Sequence, residues 1–487
     1  MKLPGLLFPV LLSLCHGANS QADPITVTTT SGRLQGAVED GVMSFKGVRF
    51  GQSPTGLLRW QPPRPFLSTG AQDATKLGPS CIQQFAFATA NLSEFLFNNP
   101  PPPEDEDCLF LNVWAPASTA SNTALKPVLV WMYGGSLAFG TGSLPAYDGT
   151  SLAKNQGVVV VTFNYRTNVF GFPSAPDLPL TGNNLGFLDQ ELVLGWVQAN
   201  IRQFGGNRDQ VTIMGQSAGS VSVAAAITRQ QSGFRAGIML SGASVTPASS
   251  APDFTPFNEF ADAVNCKQSP GLARLACLRQ VPAPVIRNFT NGPSSGAFRP
   301  VTDNFTNFGD PLGRILAKQT TLGMNNLTEF LSTTLPGVSI SPDQIRMLYP
   351  GRDDHQVIEA FATDTTFRCP VSLWAATFVQ AGIRNVFRYT YGAVFPDLQL
   401  FPDAGAWHSS ELELIFGTFN RTTSSESKAT LSKSLQTAIA NFIKDPTHSP
   451  APNWNQYDPN GRTLAELSFD GNVDFDDFVN PVTSQTE

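Results

Sequence analysis

The stretch Phe204-Gly205-Gly206-Asn207-Arg208-Asp209-Gln210-Val211-Thr212-Ile213-Met214-Gly215-Gln216-Ser217-Ala218-Gly219 decides the reading of this 487-residue chain. Val211 to Met214 is a short apolar run with β-branched residues, suited to a buried parallel strand. Val221 to Ile227 predicts an Ala-rich helix. Between them stands Gly-x-Ser-x-Gly, with Gly215 and Gly219 flanking a sharp strand-to-helix turn. Such a turn holds its central residue, Ser217, in a strained backbone conformation with the hydroxyl exposed. The N-terminus of the following helix aims free N–H groups at the place where an oxyanion would develop. The pentapeptide alone occurs by chance in many loops; the strand, the helix and the Phe-Gly-Gly lead-in make it specific.

Moving outward, more of the chain falls into the same pattern. Glu106-Asp107-Cys108-Leu109-Phe110-Leu111-Asn112-Val113 is a second signature, with Phe110 where tyrosine or threonine is more usual. Leu58-Arg59-Trp60-Gln61-Pro62-Pro63, Asn164-Tyr165-Arg166, Gly182-Asn183-Asn184-Leu185-Gly186 and Asp189-Gln190 are further matches. From about Ile25 to beyond Trp454 the chain resembles the type-B carboxylesterase/lipase family, the cholinesterase-like branch of the α/β-hydrolases, and by overall flavour a fungal secreted carboxylesterase. The resemblance implies a central, mostly parallel sheet flanked by helices, a disulfide-tethered lid-like loop, and hydrolysis of carboxylic esters through an acyl-enzyme.

An acyl-transfer serine needs hydrogen-bond donors for its oxyanion. Val128 to Met132 reads as a strand, and Tyr133-Gly134-Gly135-Ser136 as the turn after it, where glycines let the backbone approach a substrate carbonyl. The family usually has a third glycine at Ser136, yet serine keeps its backbone N–H. The oxyanion hole is assigned to the N–H groups of Gly135, Ser136 and Ala218.

The general base follows almost by elimination. Beyond residue 16 the histidines are His355, His408 and His448. His355 stands in a polar context and His448 in a Pro-flanked surface loop. Gly405-Ala406-Trp407-His408-Ser409-Ser410-Glu411-Leu412 resembles the family's histidine string, so His408 is the expected base. The triad acid is where the chain departs from the family. After Arg314 to Lys318 a buried strand should lead to a carboxylate, but Gln319 to Asn325 offers one strong apolar residue, Leu322. Glu329 falls one position off the spacing, inside an expected helix over 326–333. Either Glu329 is a displaced acid, or a strand-plus-turn segment is missing here and Glu329 is an exposed helix residue.

Composition bounds the rest. Net charge is −7, which argues against nucleic-acid binding and an anionic-membrane anchor. Met1-Lys2 followed by Leu6 to Leu14 reads as a secretory signal peptide ending near residue 18, or as late as 22, leaving 19–487 as one hydrolase domain without a transmembrane anchor. Sequons at Asn91, Asn288, Asn304, Asn326 and Asn420 agree with an extracellular glycoprotein. Five cysteines remain beyond the signal, an odd number. The resemblance implies Cys81–Cys108 and Cys266–Cys277 bridges. It leaves Cys369 as a buried free thiol or as one whose partner lay in a truncated C-terminus. Between Cys81 and Cys108, Phe85, Phe87, Leu92, Phe95, Leu96 and Phe97 suit either an amphipathic lid or core packing beneath the loop. No metal-spaced His/Cys cluster and no phosphate loop is found, and the chemistry calls for no cofactor. The expectation is a secreted serine ester hydrolase acting on apolar small-molecule or lipid esters. The alternatives are a lipase or sterol esterase with interfacial activation, and a catalytically impaired cholinesterase-like binding protein.

Overall fold

The fold was read from a computed structural model. It describes residues 23–117, 124–229, 232–243, 251–316, 349–352, 363–400, 404–468, 473–475 and 477–479, with Met347, Val357 and Ala360. Nine strands form one sheet: β1 (Asp23–Thr29), β2 (Gly32–Glu39), β3 (Val42–Arg49), β4 (Ala71–Asp73), β5 (Phe110–Pro116), β6 (Lys126–Met132), β7 (Val159–Phe163), β8 (Gly206–Gln216) and β9 (Ala236–Leu240). Their order is β1-β2-β3-β5-β7-β6-β8-β9, with β4 alongside β2. The half that matters for chemistry, β7-β6-β8-β9, is parallel, and β5 joins it antiparallel.

Burial on both faces explains why these central strands are continuous apolar runs. Val128, Val130, Val161, Val211 and Ile213 point into one core, packed by α4 (Leu185–Asn200) and α5 (Ala218–Thr228). The residues between them, Leu129, Trp131, Val160 and Met214, point into a second core on the opposite face. That core is closed by the helix Glu426–Lys444 through Leu431, Leu435, Ile439 and Ile443. Ahead of these in the chain lie α1 (Ala90–Phe97), α2 (Thr150–Gln156) and the short α3 (Asn168–Gly171). Helices α6 (Thr255–Ala263), α7 (Leu272–Gln280) and α8 (Ala283–Thr290) form an insertion with its own cluster around Phe257, Phe260 and Leu278.

Both expected bridges are present. Cys81 is joined to Cys108, and Cys266 to Cys277. Cys369 is free and exposed at the start of the helix Cys369–Gln380, which corrects the expectation of a buried thiol: only the neighbouring Pro370, not Cys369, faces inward.

Of the stretch Val386 to Tyr391 only β10 (Arg388–Tyr391) is strand, because the Val386 carbonyl accepts a hydrogen bond from the Tyr457 N–H instead of entering a ladder. It pairs with β11 (Leu464–Leu467), which pairs with β12 (Phe478–Val479), in a separate three-stranded sheet. Among the described residues no strand lies between β9 and β10, although Leu240 and Leu467 share one core. No described helix is long and apolar enough to cross a membrane.

Candidate active site

Ser217 stands at the carboxyl end of β8, between the strand and α5, with φ 55° and ψ −121°. This left-handed region is costly for a residue with a side chain and persists only where the surroundings enforce it. Its N–H donates to the Leu240 carbonyl at the end of β9 (2.9 Å), and its carbonyl accepts from the Val221 N–H (3.1 Å). The flanking glycines are dictated by sterics. A methyl group on Gly215 would lie 2.2 Å from the Gly219 carbonyl oxygen, and one on Gly219 would lie 2.0 Å from that of Met132. The elbow is therefore wedged directly against the end of β6.

The turn after β6 completes this half of the site. Gly135, Ser136 and Leu137 all have positive φ, at 105°, 57° and 58°. A methyl on the preceding Gly134 would come within 3.0 Å of Ser217 Cβ, so the turn runs alongside the serine. The base of the turn is tied by a tyrosine pair. Tyr133 Oη donates to the Tyr165 carbonyl and Tyr165 Oη to the Tyr133 carbonyl, both at 2.8 Å, with the rings stacked at 4.2 Å. Burial pushes both phenols far above their ordinary range, so they remain neutral donors. Ala218, at the first position of α5, has a backbone N–H without an intrahelical acceptor by virtue of its place in the helix.

His408 approaches from a loop after β10. The carboxamide of Gln216 stands against its ring: Gln216 Nε2 lies 3.0 Å from His408 Nε2 and 3.5 Å from Nδ1, and donates to Ser409 Oγ at 2.8 Å. The ring also packs on Phe367 at 4.8 Å. Burial lowers its pKa to about 4, and among the described residues no carboxylate hydrogen-bonds it. The elbow and His408 are thus brought together through Gln216, without a direct Ser217–His408 hydrogen bond among the described residues. His448 is 79% exposed and pairs with Asp445 at 2.7 Å, as befits a surface loop. His355 and Glu329, with the expected helix 326–333, lie outside the described residues, as do residues 1–22.

Three residues at the site were given no role by the sequence motifs. Gln216 occupies the variable position before the serine, and only the tertiary fold reveals its contact with His408. Phe139 stacks on Phe85 at 4.8 Å and meets Phe97, which in turn meets Trp407, so α1 links the two halves. Glu411, three residues after His408, is fully buried, and burial raises its carboxyl to about 7. The other motif residues are structural: Arg59 binds Glu106 through two bonds of 2.5 and 2.6 Å, and Arg166 binds Asp189 with three of 2.8–2.9 Å.

A family model described as "Carboxylesterase family" matches residues 23–329 and 351–481. The chain belongs to the carboxylesterase family. It is a carboxylic-ester hydrolase with the α/β-hydrolase architecture described above. The chain is 32% identical to a cocaine esterase of Homo sapiens, across 94% of this chain and 90% of that protein. It is 29% identical to a cholinesterase of Mus musculus, across 90% and 82% of the two chains. A para-nitrobenzyl esterase of Bacillus subtilis is 40% identical over a shorter stretch, 45% of this chain and 44% of that one. Within this carboxylesterase the family match is interrupted over residues 330–350, just past the point where the acid is expected.

Proposed function

We propose that this carboxylesterase is a secreted serine hydrolase of apolar esters, with a leader over residues 1–18 and one catalytic domain over 19–487. The observation that carries the reading is the enforced backbone of Ser217 (φ 55°, ψ −121°) at the mouth of a parallel strand. Ser217 Oγ attacks the ester carbonyl while His408 takes its proton. The N–H groups of Gly135, Ser136 and Ala218 hold the oxyanion, and His408 returns the proton to the departing alcohol. Water then repeats the sequence on the acyl-enzyme. Phe97, Phe139, Phe367 and Trp407 around the two halves favour an apolar acyl or alcohol group over a charged one.

The acid is Glu329 or is missing with its strand; both Glu329 and the segment where that strand is expected lie outside the described residues. On the second reading the chain is an impaired enzyme, and the cholinesterase-like binding role becomes the alternative. Interfacial lipase action is favoured by one observation, the exposure of Phe87, Leu92 and Phe95 beside the site.

A fluorophosphonate probe is expected to label Ser217, and Ser217→Ala to lower kcat by up to about 10⁶ if the triad is complete. Labelling that survives Ser217→Ala would remove the assignment.

A further inference from the structure

The loop closed by the Cys81–Cys108 bridge has two unlike faces. Phe85 and Phe97 face inward onto Phe139, whereas Phe87, Leu92 and Phe95 are 62%, 57% and 64% exposed. Asn91, the acceptor of Asn91-Leu92-Ser93, is exposed on α1 four residues before Phe95 and beside Leu92. Residues at that spacing share one helix face. The same juxtaposition recurs. Asn288 is exposed on α8, three residues after Val285, which is 45% exposed and lines a shallow apolar groove with Val264, Val281 and Pro282. Asn304 is exposed next to Phe305, itself 53% exposed. Asn420 is also exposed, but its neighbours include no exposed large apolar side chain; Phe419 is buried and Arg421 is charged. Asn326 lies outside the described residues.

We infer that N-linked glycans on Asn91, Asn288 and Asn304 cover the apolar patches beside them, and that the Asn91 glycan keeps the outer face of α1 from adsorbing to lipid. An N-glycan is bulky, polar and solubilising, so a sugar rooted among half-exposed phenyl and isobutyl groups shields them from other apolar surfaces. Two disulfides call for an oxidising compartment, and the ER lumen, where such modification occurs, is one. Attachment precedes folding, because the sequon hydroxyls of Thr290 and Thr306 end up buried, bonded to the Arg287 carbonyl and to Asp303. In the transfer, the asparagine Nδ2 displaces the lipid diphosphate from the anomeric carbon of a lipid-linked oligosaccharide. One C–N bond forms, one C–O bond breaks, and the amide gives up a proton. The inner face of α1, holding Phe97 against Phe139 and Trp407, is left untouched. The inference concerns surface behaviour; it stands apart from the acyl-transfer assignment and weighs against the interfacial-lipase alternative.

The test uses the full chain produced through a eukaryotic secretory pathway. Glycosidase release in heavy-oxygen water, followed by peptide mapping, is expected to mark Asn91, Asn288 and Asn304. Partition of the protein onto triolein droplets is expected to rise roughly tenfold or more in Asn91→Gln, and equally in Ser93→Ala, which removes the sequon without touching Asn91. Enzymatic deglycosylation of the folded protein should reproduce that rise. Asn420→Gln should leave partition unchanged. An unmodified Asn91 overturns the inference, as does a glycan whose loss leaves partition unaltered, or an Asn420→Gln effect as large as that at Asn91.

Discussion

The two halves of the site are built to different standards. On the serine side every backbone group near Ser217 is fixed, by the Leu240 and Val221 hydrogen bonds, by the glycines that contact β6, and by the reciprocal tyrosine pair. On the histidine side, among the described residues, His408 is held by a neutral carboxamide and an aromatic face. A nucleophile can be positioned by sterics alone. A base must also be oriented and electrostatically supported when it becomes charged, and that demands a carboxylate at a particular place. The difference teaches that local chain geometry secures one half of the proposed triad while the other depends on a distant segment.

The widest consequence of this asymmetry is reached by supplying the acid segment that the second reading holds to be missing. Insertion of a Pro-apolar-Gly-x-Asn-x-x-Asp/Glu-Gly segment after Lys318 is expected to raise turnover of p-nitrophenyl esters by up to about 10⁴, the cost of losing the acid's role in the serine-protease case. Robust turnover by the unmodified chain that Glu329→Gln abolishes would erase the asymmetry and make Glu329 the acid.

The serine half can be attacked through its glycines. Gly219→Ala places a methyl 2.0 Å from the Met132 carbonyl, a backbone atom that cannot swing away. Destabilisation of about 3 kcal/mol or more, with loss of probe labelling, is the expected outcome in denaturant titration. A folded, labelled variant would mean that the elbow is looser than its contacts require.

For the histidine half, pH is the sharper instrument. A base lowered to about 4 stays neutral through the mildly acidic range, so the acid limb of kcat/KM is expected near pH 4 instead of the ordinary 6.5. Stability moves in the same window. As pH falls below 6.5 the unfolded chain takes up a proton that folded His408 refuses until about pH 4, so this contribution declines across that interval. Gln216→Glu sets a carboxylate against the ring and should shift the limb upward by about 1–3 units. A limb already near 6.5 in the parent chain would reveal a carboxylate behind His408.

The smallest expected effect lies just beyond the base. Glu411 is raised to about 7, so its folded form is penalised as pH climbs from the ordinary carboxyl range toward 7. Glu411→Gln is expected to stabilise the protein by about 1–3 kcal/mol above pH 7 and to be near neutral at pH 4, read from urea midpoints at the two pH values. Equal effects at both would show that the carboxyl is not carrying the pH dependence.

Legibility in the sequence followed the same divide. Val128 to Met132 and Val211 to Met214 announce strands because burial on both faces leaves no polar position, and the elbow announces itself because only glycine fits there. The family's bridges followed from resemblance and are present. By contrast, the alternation of Phe85, Phe87, Phe95 and Phe97 cannot say which ring is covered, since the covering residues Phe139 and Trp407 come from other segments. Gln216 was invisible as a partner of His408 because 192 positions separate them. The short β10 and its separate sheet were not legible because Val386 and Phe387 are apolar for packing against the first and the second core respectively, outside any ladder.

The paired tyrosines at the base of the turn after β6 have a consequence for anyone seeking to change what this carboxylesterase accepts. Each phenol is locked to the other's carbonyl, so the ends of β6 and β7 are riveted together whatever sits above them. The spacing of those two strand ends is fixed. The adjustable part is the aromatic set Phe97, Phe139, Phe367 and Trp407, drawn from four separate segments. Libraries directed at those four positions will vary shape over a constant foundation, whereas variation at Tyr133 or Tyr165 will spread into the foundation itself.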